Sequence, residues 1–149
     1  MRLWNQFKIN NSKYQNSGFN VRYEKGIDKI LKKKYKKLFS YLRKNYVFPY
    51  HINIYIKNSY KVRLNSGIET FGKFHYYEDK SSYIVIPSKL EINLLGEYTK
   101  EELRVSILGS LVHELTHYFQ MCLDLNQSDE ESERQADYYR YNAVDLWEL

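Results

Sequence analysis

Apolar residues recur at helical spacing between positions 26 and 46 of the chain. The positions between them are mostly lysine, so one side of this segment is apolar and the other is charged. Such a period is typical of an amphipathic helix with one buried face. Pro49 lies just beyond the segment, where a proline suits the end of a helix. The apolar members are Ile27, Ile30, Leu31, Tyr35, Leu38, Phe39, Leu42 and Tyr46.

Alternating apolar residues follow between positions 50 and 90. HINIYIK has isoleucine at every second position, and YKVRLN repeats the alternation before the turn residues Ser66 and Gly67. TFGKFHYY and SYIVIP are two more candidates, joined by the polar connection EDKS and ended by Pro87. A period of two residues indicates strands with one buried face. The pattern therefore predicts three or four strands.

Two more helices are predicted after the strands. The sequence TKEE at 99–102 is a capping box, which opens a helix that runs to about Leu123. The sequence SDEE at 128–131 is a second capping box, and its helix runs nearly to Leu149. Only about five residues connect the two helices, so we expect antiparallel neighbours.

The order of elements is helix, three or four strands, helix, helix, which is an α+β domain. With 149 residues the chain suits a single domain, 1–149, whose core we expect over 50–149. The stretch from 5 to 20 is polar and has no sustained period. We interpret the first 20 residues as a flexible arm or loop.

Cysteine content and apolar runs limit the compartment and the cofactor. Cys122 is the only cysteine, which excludes an intramolecular disulfide and a metal site made of cysteines. No segment has the apolar run of a secretory signal or the length of a membrane span. We therefore expect a cytoplasmic protein with no membrane partner.

Positive charge is concentrated at the front of the chain. Residues 1–49 hold 13 Lys and Arg against two acids, whereas residues 50–149 hold 10 against 16. A lysine face on the first helix is suited to contact phosphates of a nucleic acid, but a solvated face is the simpler interpretation. Its lysines are Lys29, Lys32, Lys33, Lys34, Lys36 and Lys37.

The stretch HELTHYFQ at 113–120 carries the strongest chemical signal. On a helix, His113 and His117 lie on the same face and can direct ring nitrogens at one ion. Zinc accepts imidazole ligands and, in catalytic sites, keeps one position for water. Glu114 lies beside the first ligand, where its carboxylate can take a proton from that water. We predict a zinc site in which Glu114 is the general base.

A catalytic zinc with two histidine ligands needs a third ligand. The last helix offers Glu133 and Asp137, which are four residues apart and can both point back at the preceding helix. We assign Glu133 as the third ligand, and Asp137 as the acceptor for the second ring nitrogen of a ligand histidine. Glu130 is the rival ligand, and His51 and His75 in the strand region are further alternatives.

The pattern His113-Glu114-x-x-His117, followed by Glu133-x-x-x-Asp137, resembles the gluzincin metallopeptidases. The resemblance implies a zinc metalloendopeptidase with Zn²⁺ held by two histidines and a glutamate, and a general base next to the first histidine. It also implies that the aspartate supports a ligand histidine.

Small single-domain members, including the minigluzincins and the ImmA/IrrE group, match the length and the element order over roughly 50–149. The pattern Glu133-x-x-Ala136-x-x-Tyr139 is similar to a signature of the ImmA/IrrE group. The resemblance implies a zincin-like fold: a small, mostly antiparallel twisted sheet beside the helix that carries the histidine motif, and a C-terminal helix with the glutamate ligand.

The resemblance also implies a substrate site on the sheet. The strand within TFGKFHYY would form the rim of the cleft, with SYIVIP inside the sheet, and a peptide would pair with the rim strand. Gly72 and Phe74 are the residues expected to contact substrate. The expected partner is a specific intracellular protein or peptide. The competing hypotheses are a nucleic-acid-associated protein and a zinc-binding regulator without proteolytic activity.

Overall fold

The computed structural model describes residues 3–142, apart from the side chain of Leu94, and has α+β architecture with three α-helices. Short 3₁₀ turns lie at Trp4–Phe7 and Ile92–Leu94. The helices are α1 (Lys29–Asn45), α2 (Lys100–Cys122) and α3 (Asp129–Asn142). The strands are β1 (Phe19–Tyr23), β2 (Ile52–Lys57), β3 (Val62–Arg63), β4 (Glu69–Thr70), β5 (Lys73–Tyr76) and β6 (Ser82–Pro87).

The main sheet is mixed, with the strand order β1-β2-β6-β5. The prediction of a mostly antiparallel sheet is wrong, because β1 pairs with β2 and β2 pairs with β6 in parallel. Only β5 and β6 form the expected antiparallel hairpin. The parallel pairs arise because α1 carries the chain back before β2 begins, and residues 58–81 carry it back before β6. Strands β3 and β4 form a separate two-stranded sheet.

The interpretation of the first 20 residues as a flexible arm is also wrong for much of that segment. Leu3, Trp4 and Phe7 are buried in the main hydrophobic cluster, and Phe19 begins the edge strand β1. These apolar side chains are too few and too irregularly spaced to give a periodic signal. Their burial depends on surfaces that α2 and α3 supply from the other end of the chain.

Trp4 contacts both helices that carry the predicted metal ligands. Its Nε1 donates a hydrogen bond of 2.9 Å to Oγ1 of Thr116, which lies one residue before His117 on α2. Its ring stacks on Tyr139 of α3, with the ring centroids 5.8 Å apart. The first turn of the chain therefore braces α2 against α3.

We expect Trp4→Ala to lower the free energy of unfolding by about 3–5 kcal/mol, since truncating a buried tryptophan leaves a cavity and here also removes the partner of Thr116. Chemical denaturation followed by circular dichroism measures the change. Ile9→Ala is the control, because Ile9 is exposed and its truncation should cost less than about 0.5 kcal/mol. Equal effects of the two substitutions would restore the interpretation as an arm.

The core lies between one face of the sheet and helices α1 and α2. The isoleucines of β2 and β6 that face it are fully buried, together with the apolar face of α1. Asp28 caps α1 by accepting a hydrogen bond from Leu31 N, and its carboxylate also binds Arg104 of α2 at 2.8 and 3.2 Å. These hydrogen bonds to Arg104 hold the pKa of Asp28 below its usual value. The capped end of α1 is thereby fixed to α2.

Helices α2 and α3 pack as antiparallel neighbours. The predicted capping box at Thr99 is confirmed in both directions, and Ser128 Oγ accepts from Glu131 N at the start of α3. Arg140, near the end of α3, reaches Ser106 near the start of α2, whereas Gln120 near the end of α2 binds Ser132. The predicted extension of the last helix towards Leu149 lies outside the described residues. No helix in the described part of the chain is long and apolar enough to cross a membrane.

Candidate metal centre

Successive turns of α2 bring the two motif histidines together. The Nε2 atoms of His113 and His117 lie 3.2 Å apart, and both side chains are largely buried. The spacing of four residues places both rings on one face of the helix. Burial and the neighbouring His117 lower the pKa of His113. His113 is therefore neutral at neutral pH, which is the form that binds a metal.

Glu133 of α3 faces the same two nitrogens. Its Oε2 lies 3.1 Å from His113 Nε2 and its Oε1 lies 2.9 Å from His117 Nε2. Ala136, which is completely buried on α3, allows α3 to approach α2 closely. Within residues 3–142, His113, His117 and Glu133 are the group whose ligand atoms converge in the manner of a metal site.

The spacing of these atoms can be compared with the size of a zinc ion's ligand shell. Bonds of about 2.0–2.1 Å in a tetrahedron put neighbouring ligand atoms about 3.3–3.4 Å apart. The three observed separations, 3.2, 3.1 and 2.9 Å, are slightly shorter than that edge. Two imidazoles and one carboxylate are also a ligand set that catalytic zinc sites use. The residues present therefore fit a zinc ion after a small outward shift.

The other candidate ligands lie elsewhere. Glu130 forms an exposed ion pair with Arg134 on the surface of α3. His51 contacts the amides of Asn20 and Asn53. His75 packs against tyrosine rings on the sheet. The structure brings Glu133, and none of these three, to the two histidines.

Asp137 lies at the far side of the His113 ring, as the sequence predicts. Its Oδ1 is 3.0 Å from His113 Nδ1, but the ring N–H is not directed along this line. The contact is therefore an electrostatic one rather than an aligned hydrogen bond, and Nδ1 is buried. A small rotation of the ring or of the carboxylate would align the two groups. Asp137 is thus in position to hold the Nδ1 proton and leave Nε2 free for a metal.

The residues around His117 were missed by the sequence analysis. His117 Nδ1 lies 2.9 Å from Gln120 Oε1, which also accepts a hydrogen bond of 2.7 Å from Ser132 Oγ. Since this oxygen is an acceptor, Nδ1 carries the proton and Nε2 faces the cluster with its lone pair. The signal was present in the sequence: Gln120 is three residues after His117, and Ser132 directly precedes Glu133.

We expect Asp137→Asn to weaken zinc binding by about 10–100-fold, because the amide replaces the negative charge that supports His113. Titration against a chromophoric chelator measures the dissociation constant. Asp79→Asn, at the exposed tip of the β5–β6 hairpin, is the control and should leave the constant unchanged. If the two variants bind zinc equally well, Asp137 does not support a ligand.

Glu114 points into the space between α2 and the segment before β5. Burial raises its pKa to about 8, the charge of Glu133 adds to the rise, and Arg140 opposes it. A cation in the cluster would also favour the ionised carboxylate. Gly72 leaves room for this side chain, since a Cβ at position 72 would lie 3.1 Å from Glu114 Cγ and 3.3 Å from Oε1. Gly72 is therefore next to the predicted general base.

Arg140 explains why Gly109 is small. A Cβ at Gly109 would lie 3.1 Å from Cγ of Arg140, whose guanidinium approaches the backbone oxygen and hydroxyl of Ser106 at 3.4 Å. The sequence analysis did not assign Arg140 any role. Its spacing of seven residues from Glu133 places it on the same side of α3, two turns further on. The small residue on α2 therefore accommodates an arginine.

Two hollows border the cluster. One, of about 740 Å³, runs between β5 and α2 and is lined by Gly72, Phe74, His113, Glu114 and Glu133 among others. The other, of about 710 Å³, has a mainly apolar lining that includes Phe71, Leu103 and Ile107, and Arg140 lies at its wall. The cluster is thus accessible from the surface rather than sealed inside the core.

Comparison with known proteins adds no further identification. No family model matches this chain, no curated protein matches it, and no solved structure matches it. Any statement about function therefore depends on the geometry of the cluster and on the motif resemblance.

Proposed function

We propose that this chain is a zinc-dependent metalloendopeptidase of gluzincin type, which hydrolyses peptide bonds in a specific cytoplasmic protein. The observation that carries the proposal is the convergence of His113, His117 and Glu133 within hydrogen-bonding distance of one another. The buried Glu114 carboxyl beside them and Asp137 behind His113 support it further.

A zinc ion held by these three side chains supplies Lewis acidity, which polarises a peptide carbonyl and lowers the pKa of water. The Glu114 carboxylate accepts a proton from the attacking water at one of its oxygens and later delivers it to the leaving amine. Asp137 and Gln120 hold the Nδ1 protons of the two histidines, so that both Nε2 atoms stay available as ligands. Burial of Glu114 excludes bulk water from the proton it carries.

The substrate would lie along β5. This strand is at one end of the sheet, and within residues 3–142 no other strand pairs with its outer side. Unpaired N–H and C=O groups on an edge strand can bind an extended peptide by adding a strand. Gly72 and Phe74 line the hollow that leads from this edge to Glu114. A peptide paired there would present its backbone to the candidate metal centre, and the apolar hollow could receive a neighbouring side chain.

The test is metal-dependent cleavage. We expect the zinc-loaded protein to cut peptides in a mixture derived from an unfolded protein, with new termini identified by mass spectrometry. Removal of zinc by a chelator should abolish cleavage, and added zinc should restore it. A protein that binds one zinc per chain but cuts no member of the mixture would favour a zinc-binding regulator instead.

A further inference from the structure

Four lysines form a line along the outer face of α1. Lys29, Lys33, Lys36 and Lys44 are exposed, and their spacing keeps them within one side of the helix, opposite the buried Leu31, Leu38 and Leu42. We call these four residues the lysine stripe. In the described part of the chain none of the four forms an ion pair.

The stripe is unfavourable for the stability of the helix. Lys29 and Lys33 are four residues apart, as are Lys33 and Lys37, and like charges at this spacing each cost about 0.2–0.5 kcal/mol. Lys29 also lies in the first turn, where the helix dipole favours acids, and no acid is present there. A face that served only solubility would mix the two signs of charge. The arrangement is therefore better explained by an anionic partner.

The acids nearest in sequence do not offset the stripe. Asp28, the N-cap of α1, is bound by two hydrogen bonds to Arg104. The one acid that pairs with a lysine of α1 is Glu101, which contacts Lys34 on the side of the helix. Two more cations flank the stripe: Lys32 lies over the ring of Tyr23, and Arg43 over the ring of Phe19. The aromatic contacts hold these two cations beside the stripe.

We propose that the lysine stripe binds the phosphate backbone of duplex DNA without reading its sequence. The stripe runs in a straight line for about 22 Å, since fifteen residues separate its ends and each rises about 1.5 Å. The major groove of B-form DNA is wide enough to admit a helix, and its walls carry the phosphates. Lysine is suited to such contacts because a point charge needs no fixed geometry.

Two other anionic partners fit less well. Binding of a single strand relies on exposed aromatic rings on which bases stack, and the stripe has none among its members. Binding to a membrane surface as an amphipathic helix needs an apolar face that can enter the lipid. The apolar face of α1 is instead buried in the core against β1, β2 and α2. The inference does not depend on peptidase activity.

The test is fluorescence anisotropy with a labelled 20-base-pair duplex at 50–200 mM salt. For four phosphate contacts we expect a plot of log affinity against log salt with a slope of about −4. The variant in which Lys29, Lys33, Lys36 and Lys44 are all replaced by Gln should bind at least tenfold more weakly and lose most of that slope. Replacing the same four residues by Arg should preserve binding, because the charge remains.

The matched control replaces four exposed lysines elsewhere, Lys13, Lys57, Lys61 and Lys89, by Gln, which changes the net charge equally. We expect its affinity to stay within about twofold of the wild type. The melting temperature of the stripe variant should equal or exceed that of the wild type, because repulsion is relieved. The proposal is overturned if the wild type does not bind the duplex at 50 mM salt, or if both Gln variants lose affinity equally. Tighter binding to duplex RNA, to single strands or to anionic lipid vesicles would overturn it as well.

Discussion

Glu133→Ala is expected to reduce the affinity for zinc by more than about 100-fold. Removing a residue that only supports a ligand costs about 10–100-fold, so removing a ligand should cost more. Glu133 is the only one of the three converging side chains that carries a negative charge and that comes from α3. Without it, two neutral imidazoles remain on α2. Competition with a chelator of known affinity measures the change.

Glu130→Ala is the matched control for this experiment. It removes the same side chain one turn away on the same helix, but Glu130 contacts only the exposed Arg134. Zinc affinity in this variant should remain within about twofold of the wild type. If Glu130→Ala lost the metal while Glu133→Ala kept it, the rival ligand would be correct and the arrangement of α3 would have to differ from the one described.

Glu114→Gln is expected to lower the rate of peptide cleavage by about 10²–10⁴-fold while zinc binding is retained. A positioned general base contributes a factor of this size, and an amide cannot accept the proton. The side chain lies outside the converging ligand set, so the substitution leaves the ligands intact. Single-turnover cleavage of a peptide identified in the mixture measures the rate, and metal analysis of the same sample measures zinc.

Glu131→Gln, an exposed change of the same chemistry on α3, should leave the rate unchanged. Cleavage by Glu114→Gln at the wild-type rate would show that Glu114 is not the base. Loss of zinc together with activity would show that Glu114 acts as a ligand instead, which the separation of its side chain from the cluster does not favour.

The regular elements of the fold could be predicted because their signals are local. The 3.6-residue period of α1, the alternation in β2 and β6, and the capping box at Thr99 depend on neighbouring residues alone. The sheet pairing could not be predicted in the same way. Strand β1 is a five-residue segment in a polar stretch, and its parallel partner β2 begins 29 residues later, beyond a helix.

The candidate site shows the same division. The spacing of His113 and His117 on one helix fixes their proximity, and four-residue spacing places Glu133 and Asp137 together on the next helix. The supporting contact of Gln120 with His117 was also within reach of the sequence. The brace from Trp4 to Thr116 was not, since 112 residues separate the two positions and only the tertiary fold joins them.

The most direct test of the metal centre is a crystal structure of the zinc-loaded protein with diffraction data collected on both sides of the zinc absorption edge. The account predicts a single anomalous peak per chain, bonded to Nε2 of His113, Nε2 of His117 and a carboxylate oxygen of Glu133 at about 2.0–2.2 Å. A peak at any other group of residues, or no peak after saturation with zinc, would contradict it.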